Sequence, residues 1–306
     1  MDRRTFFIKS FGASVVAGAA LAGKYENLFA TAHNSANAPF DLVAVKGGEP
    51  DMMFQKGMEA LGGIHTFVKK GQKVVIKPNI GWDVGPERAG NTNPKLIAEI
   101  IRQCRNAGAS EVYVLDHTCD NWQRCYKDSG IESAAKEAGA KVAPAHTEGY
   151  YHEVSIPNGI NLTKAKEHEL ILGADVFINV PVLKNHGGAR LTITMKNLMG
   201  NVWDRSYWHR TDLHQCIADF ATYRKPTLNI VDAYNVMKQN GPRGVSVEDL
   251  VMMKSLLISM DMVAIDAAAA KLFGMNPSDV RYIQLAANQK VGRMDLENLR
   301  IKRITV

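Results

Sequence analysis

The sequence predicts an α/β fold, a mostly parallel sheet with helices on both faces. Three observations carry that expectation: short β-branched or apolar runs recur along the chain, helical stretches separate them, and the runs are apolar nearly throughout rather than alternating. In order, the expected strands are DLVAVK (41–46), KVVIK (73–77), EVYVLD (111–116), KVAPA (141–145), DVFINV (175–180), TLNIVD (227–232) and SLLISMD (255–261). The clearest helices are NPKLIAEIIRQCRNAGA, opened by Asn93 and Pro94 and closed by Gly108, and DMVAIDAAAAKLFGM, opened by Asp261 and closed by Gly274. The tract 145–165, with Gly149, Pro157 and Gly159, is the expected place for a hairpin or a small inserted subdomain. ARLTITMKNLMG reads two ways: alternation of Leu191, Ile193 and Met195 fits a strand, while Leu191, Met195, Leu198 and Met199 fit one helix face.

The first residues, MDRRTFFIKSFGASVVAGAALAG, join Arg3 and Arg4 to an apolar stretch from Phe11 to Ala22 that is too short to span a membrane in a mature protein. The pattern resembles a twin-arginine export signal, with cleavage after Ala22 or Ala32; the other reading is an uncleaved amphipathic anchor. As a signal it implies loss of residues 1–32, one domain over 41–306, passage through the twin-arginine translocase and a periplasmic location. That route carries proteins already folded, which raises the expectation of a metal or organic cofactor and identifies none.

The whole chain has 306 residues, 46% of them hydrophobic and 22% charged, an ordinary globular balance. Loss of residues 1–32 would take Arg3, Arg4, Lys9, Lys24, Asp2 and Glu26 with it, changing 37 basic and 31 acidic residues to 33 and 29. There is no block of like charge and no interleaving of basic and aromatic residues, so nucleic acid is not an expected partner. The four cysteines, Cys104, Cys119, Cys125 and Cys216, contain no C-x-x-C pair, which argues against an intrinsic iron–sulfur cluster or zinc ribbon. Cys119 and Cys125 are the pair that an oxidising compartment would join; the alternative is free, partly buried thiols.

In open α/β sheets ligands bind beyond the carboxyl ends of the strands, so the residues that follow each strand matter most. Here they are Lys77-Pro78-Asn79, Asp116-His117-Thr118-Cys119, Asn179 followed by Lys184-Asn185-His186, and Asp232. The proline holds Lys77 extended at the rim, where an ammonium suits a carboxylate or phosphate. Asp116 and Asp232 also fit the simpler role of helix caps. His117 and Cys119 are weak metal-ligand candidates, because near neighbours in sequence seldom reach one ion. WHRTDLHQCIADF places His214 and Cys216 near a helix start that Asp212 can cap, without the i, i+4 histidine spacing of a helical zinc site. In NGPRG, Arg243 offers a charged fork beside a flexible turn, and the long segment 81–94 has the length and glycines of an active-site loop. Walker, G-x-G-x-x-G, H-E-x-x-H and G-x-S-x-G motifs are absent.

Taken in order, VVIKPN, NTNPKLIAEIIRQCRNAGASEVYVLD, GADVFINVPVLKNH, LTITMKNLMGN, LHQCIADF, LNIVDAYNVMKQNGPRG and MDMVAIDAAAAKLFG resemble the family catalogued as domain of unknown function 362, over about residues 41–300. Some members of that family carry ferredoxin-type cysteine clusters, which this sequence lacks. The resemblance marks Lys77, Asn79, Lys184, His186, Lys196, Asn197, His214, Asp232, Gly241, Pro242, Gly244 and Asp266; Lys196 and Asn197 enter through it alone. The function expected is binding of an anionic small molecule at the strand-end rim. Lys77, Asn79, Lys196, Asn197, Asp232 and Arg243 would be contacts, and His186, His214 and Lys184 would do acid–base or nucleophilic work. Lysines converging in a dry cleft depress one another's pKa and leave one amine nucleophilic. The alternatives are a noncatalytic periplasmic binding or redox accessory module and metal-dependent chemistry at His117, Cys119, His186 and His214.

Overall fold

The computed structural model describes residues 38–306, so the signal-like segment and both cleavage positions lie outside the described residues. The strands are β1 Leu42–Lys46, β2 Lys73–Pro78, β3 Glu111–Val114, β4 Lys141–Val142, β5 Tyr151–Ser155, β6 Lys164–His168, β7 Val176–Val180, β8 Val182–His186, β9 Arg190–Thr192, β10 Leu228–Met237, β11 Leu250–Ser259 and β12 Ile301–Thr305. The helices are α1 Pro50–Ala60, α2 Pro94–Asn106, α3 Trp122–Asp128, α4 Ile131–Glu137, α5 Glu169–Leu172, α6 Thr194–Asn197, α7 Ser206–Thr211, α8 Leu213–Tyr223, α9 Met262–Phe273 and α10 Arg281–Asn288.

A ten-stranded sheet runs in the order β12-β1-β11-β10-β7-β2-β3-β4, with β8 and β9 continuing it beside β10. From β10 through β7, β2 and β3 to β4 every pairing is parallel, as is that of β1 with β12, whereas β11 is antiparallel to both β1 and β10. Strand alternation sends side chains to two helical layers. Val74, Ile76, Val114 and Ile178 pack with Phe54, Leu96, Ile100 and Ile131, on the face covered by α1, α2 and α4. Val75, Phe177, Val231 and Leu257 meet Ile217, Phe220, Ile265 and Ala269 of α8 and α9 on the other. Each such buried Val, Leu, Ile or Phe side chain contributes about 1.5–3 kcal/mol.

Both expected helices form with their caps. The Asn93 side chain accepts from the Lys95 amide with Pro94 behind it, and Asp261 accepts from Val263 and Ala264 while Gly274 closes the helix at a φ of 94°. The 145–165 tract contains most of an antiparallel hairpin, β5 against β6, with Tyr151 opposite His168 and Ser155 opposite Lys164. Asp219 anchors its turn by accepting from the Asn161 amide at 2.7 Å and the Leu162 amide at 2.9 Å.

The expected strand 141–145 shortens to β4, β8 and β12 were not expected, and two strands run well beyond expectation. β10 does not end at Asp232 but runs on to Met237, and β11 begins at Leu250 rather than near 255; the extra halves pair with each other beyond a register shift between Ala233 and Asn235. In sequence the interruptions are polar residues, Asp232 and Asn235 in one strand and Lys254 in the other, while the added apolar residues Val251 and Met252 stay exposed and so lack the look of a buried run. The ambiguous 189–200 segment resolves as both readings in succession, the short strand β9 and then the one-turn helix α6.

Candidate functional site

Beyond the carboxyl ends of β2, β3 and β8 lies a cavity of about 1110 Å³, walled on its outer side by the β5–β6 hairpin and by residues 203–209. Its floor is a continuous network of buried polar groups. Lys77, at the end of β2 and 1% exposed, pairs with Asp116 Oδ1 at 2.8 Å and donates to Asn197 Oδ1 and to the Pro78 carbonyl, both at 2.9 Å. Asp116 is held in turn by the Ile80 amide, which donates to its Oδ2 at 2.7 Å. Burial pushes the Lys77 ammonium below the ordinary lysine range, and the Asp116 carboxylate opposes that push.

The amides extend the network. Lys184 on β8, also 1% exposed, donates to Asn79 Oδ1 at 2.9 Å and to the Gly90 carbonyl in the 81–94 loop. Asn79 Nδ2 donates to Asn197 Oδ1 at 2.9 Å, Asn197 Nδ2 to Asn179 Oδ1 at 2.8 Å, and Asn179 Nδ2 to the Thr194 carbonyl at 3.0 Å and Asn229 Oδ1 at 3.1 Å. An ammonium only donates, so Lys77 and Lys184 fix which end of Asn197 and Asn79 faces which neighbour, and every downstream amide is oriented as a result.

Lys196 and Asn197 stand on α6, which is one turn long and needs outside support. Asp266 supplies it from α9, accepting from the Thr194 amide at 2.8 Å, the Met195 amide at 3.1 Å and the Thr194 hydroxyl. Of the two roles open to a carboxylate at this helical position, pairing with a cation or holding a helix junction, it takes the second. Burial pushes its carboxyl up to about 7.

The cations facing the cavity are unevenly neutralised. Lys77 has Asp116, but among the described residues Lys184, Lys196 and Arg205 have no carboxylate partner, and the Lys196 ammonium makes no hydrogen bond or ion pair at all. Arg205 donates to the carbonyls of His117 at 2.8 Å and Thr118 at 2.7 Å and touches Cys119 Sγ at 3.6 Å. Burial first, reinforced by the like charge of Lys196 and Lys77, lowers Lys184 to about 7. Burial, Arg205 and Lys77 lower Lys196 to about 8. His186 falls to about 3, chiefly through burial and the two nearby lysines. Its Nδ1 accepts from the Gly188 and Ala189 amides at 3.1 and 3.0 Å, which leaves the proton of the neutral ring on Nε2.

The remaining candidates separate. Asp232 lies mid-strand, outside the cavity, because β10 continues past it; it accepts from the Asn93 amide at 2.8 Å and the Tyr234 amide at 3.1 Å, and burial pushes it up to about 6. Arg243 pairs with Asp83 at 2.6 Å and Asp120 at 3.4 Å and joins loops beside the cavity without lining it, although its neighbour Pro242 does line it. His214 stacks on Tyr282, ring centroids 5.9 Å apart, also outside the cavity, and Asp212 caps α8 by accepting from the Gln215 amide. His117 and Cys119 line the cavity. His117 donates through Nδ1 to the Val202 carbonyl at 2.9 Å and stacks on Trp203, and among the described residues no cluster of three or more His, Cys, Asp or Glu is arranged to hold a metal. All four cysteines are free thiols, Cys119 exposed and Cys125 buried, so the two are not joined.

Gly200 and Arg205 belong to the site and were not candidates from sequence. Gly200 has no chemistry of its own, and Arg205 sits in a polar loop with no periodicity to mark it.

A thylakoid-associated protein of Synechocystis sp. is 24% identical over 243 residues, covering 77% of this chain and 73% of that protein. Among solved structures, the lactate racemase apoprotein of Thermoanaerobacterium thermosaccharolyticum aligns with 70% of this chain at 12% identity and a TM-score of 0.43. A structural-genomics protein of Thermotoga maritima aligns with 79% of it at 9% identity and a TM-score of 0.40. The chain spans 53% and 60% of the lengths of those two proteins. Residues 74–271, the stretch that carries β2, β7, β8, α6 and the whole polar floor of the cavity, match the family described as Domain of unknown function (DUF362), and the chain belongs to that family.

Proposed function

We propose that this protein is exported and binds a small organic anion in the strand-end cavity, with Lys196 and Arg205 as its charge partners and Lys184 as the acid–base group. The observation that carries the reading is the unpartnered Lys196 ammonium beside two further cations that lack a carboxylate among the described residues. Holding such charge in a partly dry cavity is costly, and the depressed lysines record that cost. A bound carboxylate or phosphate offsets it. Lys184 takes the proton-transfer role from the histidines because its amine, at about 7, titrates near neutrality, whereas His186 is too weak a base and His214 is elsewhere.

The sign of the pH dependence follows. An anion favours the protonated amines, so it raises both lysines and binding takes up protons around pH 7–8. With malate and inorganic phosphate as probes, affinity should tighten at least tenfold from pH 9 to pH 7. Calorimetry in buffers of different ionisation enthalpy should show the uptake, and Lys196→Met should weaken binding by at least tenfold. Affinity independent of pH and of Lys196 would contradict this reading.

A further inference from the structure

We propose that Lys196 forms an imine with an aldehyde or ketone carbonyl on the anion that occupies this cavity, which makes the ligand class a small oxo acid or an anionic aldehyde. The inference rests on the anion-binding reading and adds a covalent step to it.

Three lysines reach the inner cavity, and their surroundings divide the work. Lys77 is committed to Asp116, Asn197 and the Pro78 carbonyl, which occupy all its donors. Lys184 is tied to Asn79 and Gly90. Among the described residues Lys196 alone of the three has no bond to break before its lone pair can turn to a ligand. Burial among cations brings it to about 8, so roughly one chain in ten carries the free amine at pH 7. The amine is also well placed, because Asp266 locks the first amides of α6 and Asn197, next in sequence, is bound into the buried amide chain.

The groups around it fit the partners such a step needs. Arg205, with no carboxylate of its own among the described residues, is the fork for the ligand's carboxylate. His186, with Nδ1 occupied by backbone amides, keeps an Nε2–H free for the carbonyl oxygen. The Lys196 amine adds to the carbonyl carbon, forming a C–N bond, while one of its protons passes to the oxygen to give a carbinolamine. The Lys184 ammonium then protonates that hydroxyl, which leaves as water as the C=N bond forms, so Lys184 ends neutral and the positive charge resides on the iminium. Total charge is unchanged, and the cation stays where the anion is bound.

The full chain is to be incubated with glyoxylate, pyruvate and 2-oxoglutarate, each followed by borohydride, and examined by intact mass and peptide mapping. A secondary amine is expected on Lys196 at ten times the occupancy of any surface lysine, suppressed by malate, which has the charge without the carbonyl. Lys196→Arg keeps the cation and serves as the folded control: it should still bind malate and show no trapped adduct. Malate binding without any adduct on Lys196, or an adduct that survives Lys196→Arg, overturns the imine while the anion-binding reading stands. If neither malate nor any oxo acid binds, both readings fall.

Discussion

Gly200→Ala is expected to cost about 3–5 kcal/mol of folding stability, the range for breaking a buried ion pair. A Cβ at Gly200 would stand 1.9 Å from Asp116 Oδ1 and 2.6 Å from both Cε and Nζ of Lys77. The two side chains it meets are 3% and 1% exposed, so neither has solvent to retreat into. Moving Asp116 breaks its 2.7 Å bond from the Ile80 amide, and moving Lys77 breaks those to Asn197 and Pro78. The backbone of Gly200 is not left-handed, so alanine meets no φ penalty there. The entropic effect of replacing glycine would alone stabilise the protein by about 0.4–1 kcal/mol. The two effects oppose each other, and a close approach to a buried ion pair is the larger. Urea denaturation measures the result; a variant within 1 kcal/mol of the parent would refute the account of the pair.

Most of the fold was legible in the sequence because it depends on apolar periodicity. The strands β1, β2, β3 and β7 and the helices α2 and α9 are announced by apolar runs and caps, and all lie within two or three residues of expectation. Part of what periodicity missed is polar: β8 ends in Lys184, Asn185 and His186, of which the first and last line the cavity, and that polarity is what disguised it as a loop after a strand. The same logic misplaced Asp232. A strand end was inferred where the apolar run paused, but the ladder with β11 continues, so the carboxylate holds the amide of Asn93, the residue that caps α2, instead of reaching the rim. Lys77, Asn79 and Lys184 were found by strand-end position, a rule about topology that survives ignorance of side-chain contacts. Lys196 and Asn197 needed the family resemblance, since their place depends on Asp266, 70 residues or so along the chain, and no local pattern encodes a capping partner that distant. Gly200 is a negative feature, the absence of a side chain beside an ion pair, and becomes visible only once that pair is located.

Stability of the ligand-free protein should rise from pH 7 to pH 9 because of the cavity lysines. In the unfolded chain Lys184 and Lys196 titrate at the ordinary value of 10.5, whereas in the folded protein they titrate at about 7 and about 8. Between those values the unfolded chain holds a proton that the native state has released, so each group adds about 1.4 kcal/mol of stability per pH unit as pH rises. Lys184 contributes over the whole window and Lys196 over its upper half, together about 4 kcal/mol, and Lys77 acts in the same direction. Other shifted groups act mainly outside the window. His117, lowered to about 4, and His186, lowered to about 3, have completed their effect once pH passes the ordinary imidazole value of 6.5. Asp232 and Asp266, raised to about 6 and about 7, have the opposite sign, since the native state keeps a proton that the unfolded chain loses, and their destabilisation is nearly complete by pH 7. The thiols of Cys104 and Cys125, pushed up to about 12 by burial, and of Cys216, pushed up to about 11, oppose the rise as pH nears their ordinary value of 9, together by about 1 kcal/mol at pH 9. Urea denaturation at pH 7, 8 and 9 should therefore show the rise, and Lys184→Met should remove more than half of it. A flat or falling profile in the parent protein would mean that the lysines are not held in a desolvated, uncompensated state. Malate supplies the complementary arm. By restoring the ammonium forms it should stabilise the protein more at pH 7 than at pH 9 and so flatten the same curve from its acid side, an outcome that a cavity already neutralised by its own residues would not give.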